Sequence, residues 1–252
     1  MKLQIKIITI VFYMSLFVMG TTSLLYSQTA DEIINKSLQA RGNVDSLKAV
    51  KTVHFIGKIN SGGQDIKMAF IKKLPDKMRF QVEINSRQAV TCFAGDSGWI
   101  YDPSQNIKDF LPKQLTKAEI HQKKPLIEYL MVFYDDLLLT YKERTVKTSY
   151  LGKDTINGKP MHKVLFMLKD GTVVTYFFDV KNYFDTYHKV LFPDLNIVFD
   201  IYLSNFATVS DFKIPLTIES KVKDQQMTKV TIETMRFNEV IKDEYFNMPD
   251  TK

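Results

Sequence analysis

Cysteine is almost missing from this sequence: Cys92 is the single one in 252 residues, so no internal disulfide can form and a disulfide-stapled scaffold is excluded. It sits in the apolar run AVTCFA, where a buried small hydrophobe is expected. Glycine and proline are sparse, at 10 and 8, which excludes collagen-like and low-complexity classes. Neither gathers into a stretch that would divide the chain, so one domain is expected. The four histidines, His54, His121, His162 and His188, lie far apart, and none has a second histidine at metal-ligand spacing. There is no Gly-x-Ser-x-Gly elbow and no glycine-rich phosphate loop. Asp135 and Asp136 read as the solvated side of a helix. The densest polar group, Tyr183, Asp185 and His188, reads as a solvated turn: an Asp-x-x-His spacing on a regular strand sends the two side chains to opposite faces. No metal, no cofactor and no catalytic constellation is expected. The net charge of +6 is mild, and its lysines are spread along the chain, which argues against nucleic acid as partner.

What is present begins with a leader. Lys2 and Lys6 precede Ile7 to Met19, a charge-free run shorter than the roughly 20 residues of a membrane-spanning helix, and small residues follow to Ser27. Residues 1–27 are the pattern of a secretory signal peptide, cut after Ser27 or alternatively Ser23. The expected product is residues 28–252, exported to the periplasm, with no cysteine near the cut to carry lipid.

The remaining chain opens on a helix. Thr29 and Glu32 form a capping-box pattern, Ile33, Ile34, Leu38 and Ala40 follow at helical spacing, and Gly42 ends it. From Thr52 the period becomes two, in runs such as Val53-Phe55-Gly57 and Met78-Phe80-Val82-Ile84, separated by turn residues at Ser61-Gly62-Gly63, Leu74-Pro75-Asp76 and Gly95-Asp96-Ser97-Gly98. Between Lys113 and Glu143 helix returns. Thr116 caps a short one, and Pro125 opens a longer one whose residues Leu126, Leu130, Phe133, Leu137 and Tyr141 share a face. Strands resume after Tyr150, with a turn at Asp154–Lys159, a hairpin about Lys169-Asp170-Gly171, and runs at Thr186–Phe192, Ile197–Leu203, Pro215–Lys223 and Lys229–Phe237. Ten or eleven antiparallel strands are expected, curling into a sandwich or barrel.

The apolar content is the unusual part: 18 phenylalanines, 12 tyrosines and 11 methionines. Most must be core. A strongly curved sheet of about ten strands has a concave face wider than its own side chains fill, and a greasy helix inserted between strands suits that space. Flexible methionines, Met68, Met78, Met131 and Met167, suit a wall that accepts variable shapes. Such a space admits a hydrocarbon chain, at about 0.8 kcal/mol per buried methylene before costs.

The order of a signal peptide, a capped helix, KTVHFIGKI, KKLPDKMRFQVEI, DSGWIYDP, a mid-chain helix and FNEVIKDEYFNMPD resembles the outer-membrane lipoprotein-sorting (LolA-like) superfamily. The resemblance implies an unclosed, strongly curved antiparallel β-barrel with a helical lid. By it Arg79 matches a basic strand position at a polar rim, Trp99 and Tyr101 an aromatic strand, and Phe246 a closing segment. The function expected is a periplasmic, monomeric carrier of lipoprotein acyl chains or other lipids, non-enzymatic, handing cargo between membrane-associated donor and acceptor proteins. Its cavity would be lined by Phe55, Met68, Phe70, Met78, Phe80, Trp99 and Tyr101, with Leu130, Phe133 and Leu137 from the lid. The alternative is a protein-interaction or envelope-sensor module on the same fold, its edge strands accepting an added strand. A membrane-embedded barrel is disfavoured, because Arg79, Glu83, Lys221 and Lys223 stand on strand faces that lipid would have to cover.

Overall fold

Alternating side chains build a single antiparallel sheet. In the computed structural model, which describes residues 28–103, 111–131 and 136–250, the first half of the sheet comprises β1 (Thr52–Ser61), β2 (Gln64–Lys73), β3 (Lys77–Ile84), β4 (Arg87–Ala94), β5 (Ser97–Tyr101) and β6 (Lys113–Gln114). The second half comprises β7 (Lys147–Ile156), β8 (Lys159–Met167), β9 (Val173–Asp179), β10 (Asp185–Phe192), β11 (Ile197–Val209), β12 (Phe212–Val222) and β13 (Gln225–Phe237). Residues 1–27, where the signal peptide is expected, lie outside the described residues, as does Phe133. The spatial order is β6-β5-β4-β3-β2-β1-β13-β12-β11-β10-β9-β8-β7, so the thirteen described strands form an unclosed sheet. Two meanders meet at the β1/β13 seam.

Among the described residues four α-helices accompany the sheet: α1 (Ala30–Arg41), α2 (Val44–Lys48), α3 (Lys117–Leu130) and α4 (Asp136–Thr140). The Thr29/Glu32 capping box forms as read, and α1 buries Ile33, Ile34 and Leu38. The mid-chain helices differ from the sequence reading. Thr116 caps α3, which runs through Pro125 to Leu130, with Met131 as its C-cap. Pro125 therefore stands inside a helix instead of opening one. The stripe expected along one long helix is split, with Leu126 on α3 and Leu137 on α4.

Register assigns the faces. Phe55 pairs with Phe70, Phe70 with Phe80, Phe80 with Thr91 and Thr91 with Ile100. Because directly opposed residues of antiparallel strands share a face, these form one row across five strands. Phe55, Phe70, Phe80 and Ile100 lie in or against a large core that also takes in Leu38 of α1 and Leu137 and Leu138 of α4. The next row, His54, Ile71, Arg79, Cys92 and Trp99, faces the other way. On the second half, Phe166, Tyr176, Phe178, Val190 and Ile201 join the inner core, while Met161, Phe177 and Tyr187 form a small outer cluster.

Curvature at the seam has a visible cause. Register slips between Ile56 and Gly57 against β13, and a β-carbon on Gly57 would overlap the Thr231 carbonyl oxygen. Glycine is required there by close backbone approach. Gly57→Ala is expected to destabilise the fold by about 1–3 kcal/mol through overpacking, read as a lower urea midpoint.

Strand ends fall further out than the sequence reading placed them. β11 continues to Val209, and β12 and β13 begin at Phe212 and Gln225. The hairpins between them turn at Ser210-Asp211 and Lys223-Asp224, both pairs at positive φ. This is the two-residue left-handed turn normally marked by Asn-Gly, here built without glycine. Asn157-Gly158 likewise confines the turn expected over Asp154–Lys159 to two residues. Met167 is exposed at the end of β8, so it is no part of an inner wall.

Candidate functional site

The concave face is occupied. α1 and α4 fill its middle, and they are tied together: the Tyr141 hydroxyl donates to Asp31 at 2.7 Å, and Lys142 pairs with the same carboxylate at 2.7 Å. These partners hold the Asp31 carboxyl below the usual carboxylate range, the Lys142 hydrogen bond being the largest cause. The Tyr141 ring meets Phe166 edge-on at 5.8 Å.

α3 is attached through both apolar and polar contacts. Ile120 and Tyr129 are buried, with Leu126, Ile127 and Met131 partly so. The Tyr129 ring lies 6.2 Å from Phe192. Lys124 donates to the Gly95 carbonyl at 3.2 Å, and Glu128 faces Lys72 of β2 at 3.6 Å. At the N-terminus, backbone N–H donation from Thr116 and a hydrogen bond from Lys113 hold Glu119 down to about 2, so its capping carboxylate stays charged at any ordinary pH.

Two clefts border this helix. One, of about 500 Å³, lies between α3, α4 and the β2–β3 corner, with Leu74, Pro75, Met78 and Leu139 as its apolar part and lysines, an arginine and carboxylates around them. The other, of about 380 Å³, lies between α3 and the β10–β11 connection, with Pro125, Phe192 and Leu195 in its wall. Both reach side chains of the inner core. A further depression of about 520 Å³ runs along the outer face beside Ile71, Val240 and Tyr245.

Of the residues singled out in the sequence, Phe55, Met68, Phe70, Met78 and Leu137 are buried together on the concave side, with Phe80 half-buried against them. Met78 also reaches the larger cleft. Leu130 ends α3. Trp99, Tyr101 and Arg79 are placed differently from the cavity lining and rim expected of them, because their strand positions put them on the convex face. There Trp99 is buried with Ile71, Val90, Cys92 and Phe246, and Tyr101 packs against that group. The segment after β13, which includes a 3₁₀ turn at Asp243–Phe246, straps this face. Trp99 Nε1 donates to the Phe246 carbonyl at 2.9 Å, and the Cys92 thiol donates to the same oxygen at 3.3 Å. Arg79 Nη1 donates to the Tyr245 carbonyl at 2.9 Å. The guanidinium lies 4.6 Å from the Tyr245 ring and 5.2 Å from that of Trp99, a cation–π sandwich. Lys73 and Lys77 both hold Asp243, at 2.6 and 3.0 Å.

Burial pushes the Cys92 thiol up to about 11, so it is inert while the strap stays down. Phe246→Ala is expected to cost about 3–5 kcal/mol and to make Cys92 react with a thiol-specific dye at concentrations of denaturant that leave the parent protein unlabelled.

A polar group that the sequence reading set aside is internal. Asp185 and His188 are buried and share the inner face, pairing with Phe178 and Tyr176, because the register slips between Asp185 and Tyr187. That bulge adds one residue and cancels the alternation that would have separated them. Asp185 forms an ion pair with Arg41 at the end of α1. The only sequence signal for this would have been a bulge, which composition does not announce.

No family model matches the sequence, and no curated protein matches it. Several solved structures share the fold, three of them over most of both chains. A DUF1329 family protein from Desulfovibrio piger superposes with a TM-score of 0.57 at 10% identity, over 88% of this chain and 98% of that one. A LolA superfamily protein from Nitrosomonas europaea gives 0.56 at 11% identity, over 88% and 98%. A domain named for outer-membrane lipoprotein sorting, from Vibrio parahaemolyticus, gives 0.55 at 11% identity, over 86% and 95%. The fold is thus the LolA-like unclosed, curved antiparallel sheet with helices, as the resemblance implies.

Proposed function

We propose that this chain is an exported, non-enzymatic carrier that shelters the acyl chains of a lipid or lipoprotein between its concave sheet and its helices. One observation carries the reading: an apolar concave face is covered by helices of its own chain, and α3 has a cleft with an apolar wall on each side. A helix that fills the site at rest sets affinity by competition, since cargo must displace contacts already made. Phe55, Met68, Phe70, Met78, Phe80 and Leu137 form the lining in this reading, and the LolA-like fold supports it. Transfer of lipoprotein cargo between membrane-associated partners in the periplasm is its specific form.

The test is extraction of lipid from protein purified from cells, with mass spectrometry of the extract, together with transfer of a fluorescent acyl probe between vesicles. Bound lipid and catalysed transfer are expected; clean protein with no transfer rejects the carrier. Leu139→Glu, which places a charge in the half-buried wall of the larger cleft, is expected to slow transfer about tenfold with little change in melting temperature.

The interaction-module reading draws less support. The free edge β7 is ten residues long, but Lys147 and Lys153 and a register slip between Tyr150 and Lys153 are the devices by which edges discourage strand addition. Recovery of one protein partner, with no lipid bound, would favour it over the carrier.

A further inference from the structure

The interior of the sheet contains one lysine where the pattern calls for a hydrophobe. Lys72 follows Met68 and Phe70 on the concave face of β2 and pairs across the sheet with Val53 and Met78, both of them buried. Its side chain is 9% exposed and lies at the wall of the larger cleft. A charge in such a place costs several kcal/mol unless it is matched, and Glu128 of α3 stands 3.6 Å away, itself 20% exposed. That separation brings the charges together without a hydrogen bond between them. The pair joins the sheet to the helix that separates the two clefts.

The surroundings of the pair are unequal in charge. Lys48, Lys77, Lys124 and Arg144 also line this cleft, against Asp76 and Glu143, with Lys77 in addition paired to Asp243 of the strap. Beside these charges lie Leu74, Met78 and Leu139, and Met78 belongs to the inner core. The site therefore has a cationic mouth and an apolar wall that leads inward.

We propose that the Lys72–Glu128 pair is a latch released by the phosphate of an anionic lipid, which takes the place of the Glu128 carboxylate on Lys72 and frees α3 from the sheet as the acyl chain follows Met78 and Leu139 inward. This rests on the carrier reading and names its ligand class: lipids with an anionic phosphate headgroup. A phosphate brings more charge and more acceptor oxygens than a carboxylate and can approach the ammonium to hydrogen-bond distance. Once Glu128 is displaced, α3 still keeps the Lys124–Gly95 bond, the Tyr129–Phe192 contact and the packing of Ile120, Leu126, Ile127 and Tyr129 on the inner core, which the incoming acyl chain must replace. A neutral lipid offers nothing to exchange for Glu128.

The experiment compares transfer of a fluorescent phosphatidylglycerol with that of a fluorescent diacylglycerol between phosphatidylcholine vesicles, alongside hydrogen exchange of the α3 amides. The parent protein is expected to move the anionic probe about tenfold faster. Lys72→Gln, with Lys72→Met as a second form in case the first folds poorly, is expected to bring the two rates near parity by speeding the neutral probe and slowing the anionic one. Glu128→Gln is expected to raise exchange throughout α3 without any lipid. A headgroup preference that survives both Lys72 substitutions, or α3 exchange unaltered by Glu128→Gln, overturns the latch. Inorganic phosphate alone separates the two sources of the anion. If it opens α3 fully while both probes move at one rate, the site is for a free anion and the lipid assignment is wrong. If the parent protein moves neither probe, the carrier reading itself has failed, an outcome distinct from parity between them.

Discussion

Asp185→Ala is expected to cost the protein about 3–5 kcal/mol of folding stability, a large share of the roughly 5–15 kcal/mol that holds an ordinary domain together. Asp185 is fully buried, and its partner Arg41 is 6% exposed. Removing the carboxylate leaves a guanidinium inside the protein without the charge that justified its burial. The pair also pins the end of α1 to the start of β10, so the loss extends to the seating of α1 over the inner core. Arg41→Met combined with Asp185→Leu should recover most of that loss, since an apolar pair of similar volume is often as stable as a buried ion pair or more so. Urea unfolding of the two single variants and the double variant gives the coupling directly. A single-variant loss below about 1 kcal/mol would mean that water reaches the pair and that the burial described here is wrong.

Acid is expected to unfold the protein through His188. The ring is 1% exposed, and neither of its nitrogens has a hydrogen-bond partner. Burial, reinforced by the positive charge of Arg41, holds it down to about 3 from an ordinary value of 6.5. Between those values the unfolded chain binds the proton and the folded chain does not. Stability is therefore unaffected by this group above about pH 6.5 and falls by about 1.4 kcal/mol for each unit below it, until the folded ring itself protonates near 3. His188→Phe removes that slope. Urea midpoints at pH 7 and pH 5 should drop further in the parent than in the variant, by about 2 kcal/mol of difference. Equal drops would show that the ring is already charged or solvated in the folded state.

The strands of the first half could be read from the sequence because alternation and turn residues agree there: the runs at Val53, Ile66 and Val90 end at Gly62-Gly63, Pro75-Asp76 and Gly95-Asp96. In the second half, Ser210-Asp211 and Lys223-Asp224 turn without glycine, so β11 to β13 look shorter in sequence than they are. The capping box at Thr29 and the capping threonine at Thr116 located two helix starts, but the placement of Pro125 inside α3 reverses the usual meaning of proline after a polar stretch. The concave face was legible where parity alone decides it, as for Phe55, Phe70 and Phe80. Trp99 was misplaced because β5 is short, and nothing in five residues reveals which of its two apolar faces meets the strap. Asp185 and His188 were misplaced for the opposite reason: a bulge breaks the very alternation used to sort them.

The meeting of the two meanders at β1 and β13 imposes an order of events on synthesis. Ribosomes deliver β1 long before β13, and Val53 must wait for Phe237. Until then the first six strands can form a sheet whose β1 border, apolar on one side and unsatisfied in its backbone, lies open. The pairing that completes the sheet spans nearly the whole chain, so it carries the greatest loop-closure penalty and belongs to the slow phase of folding. A nascent chain stalled or truncated before β13 would therefore present the centre of the finished structure as an adhesive margin, and it is at that stage, more than in the finished protein, that it most needs a chaperone.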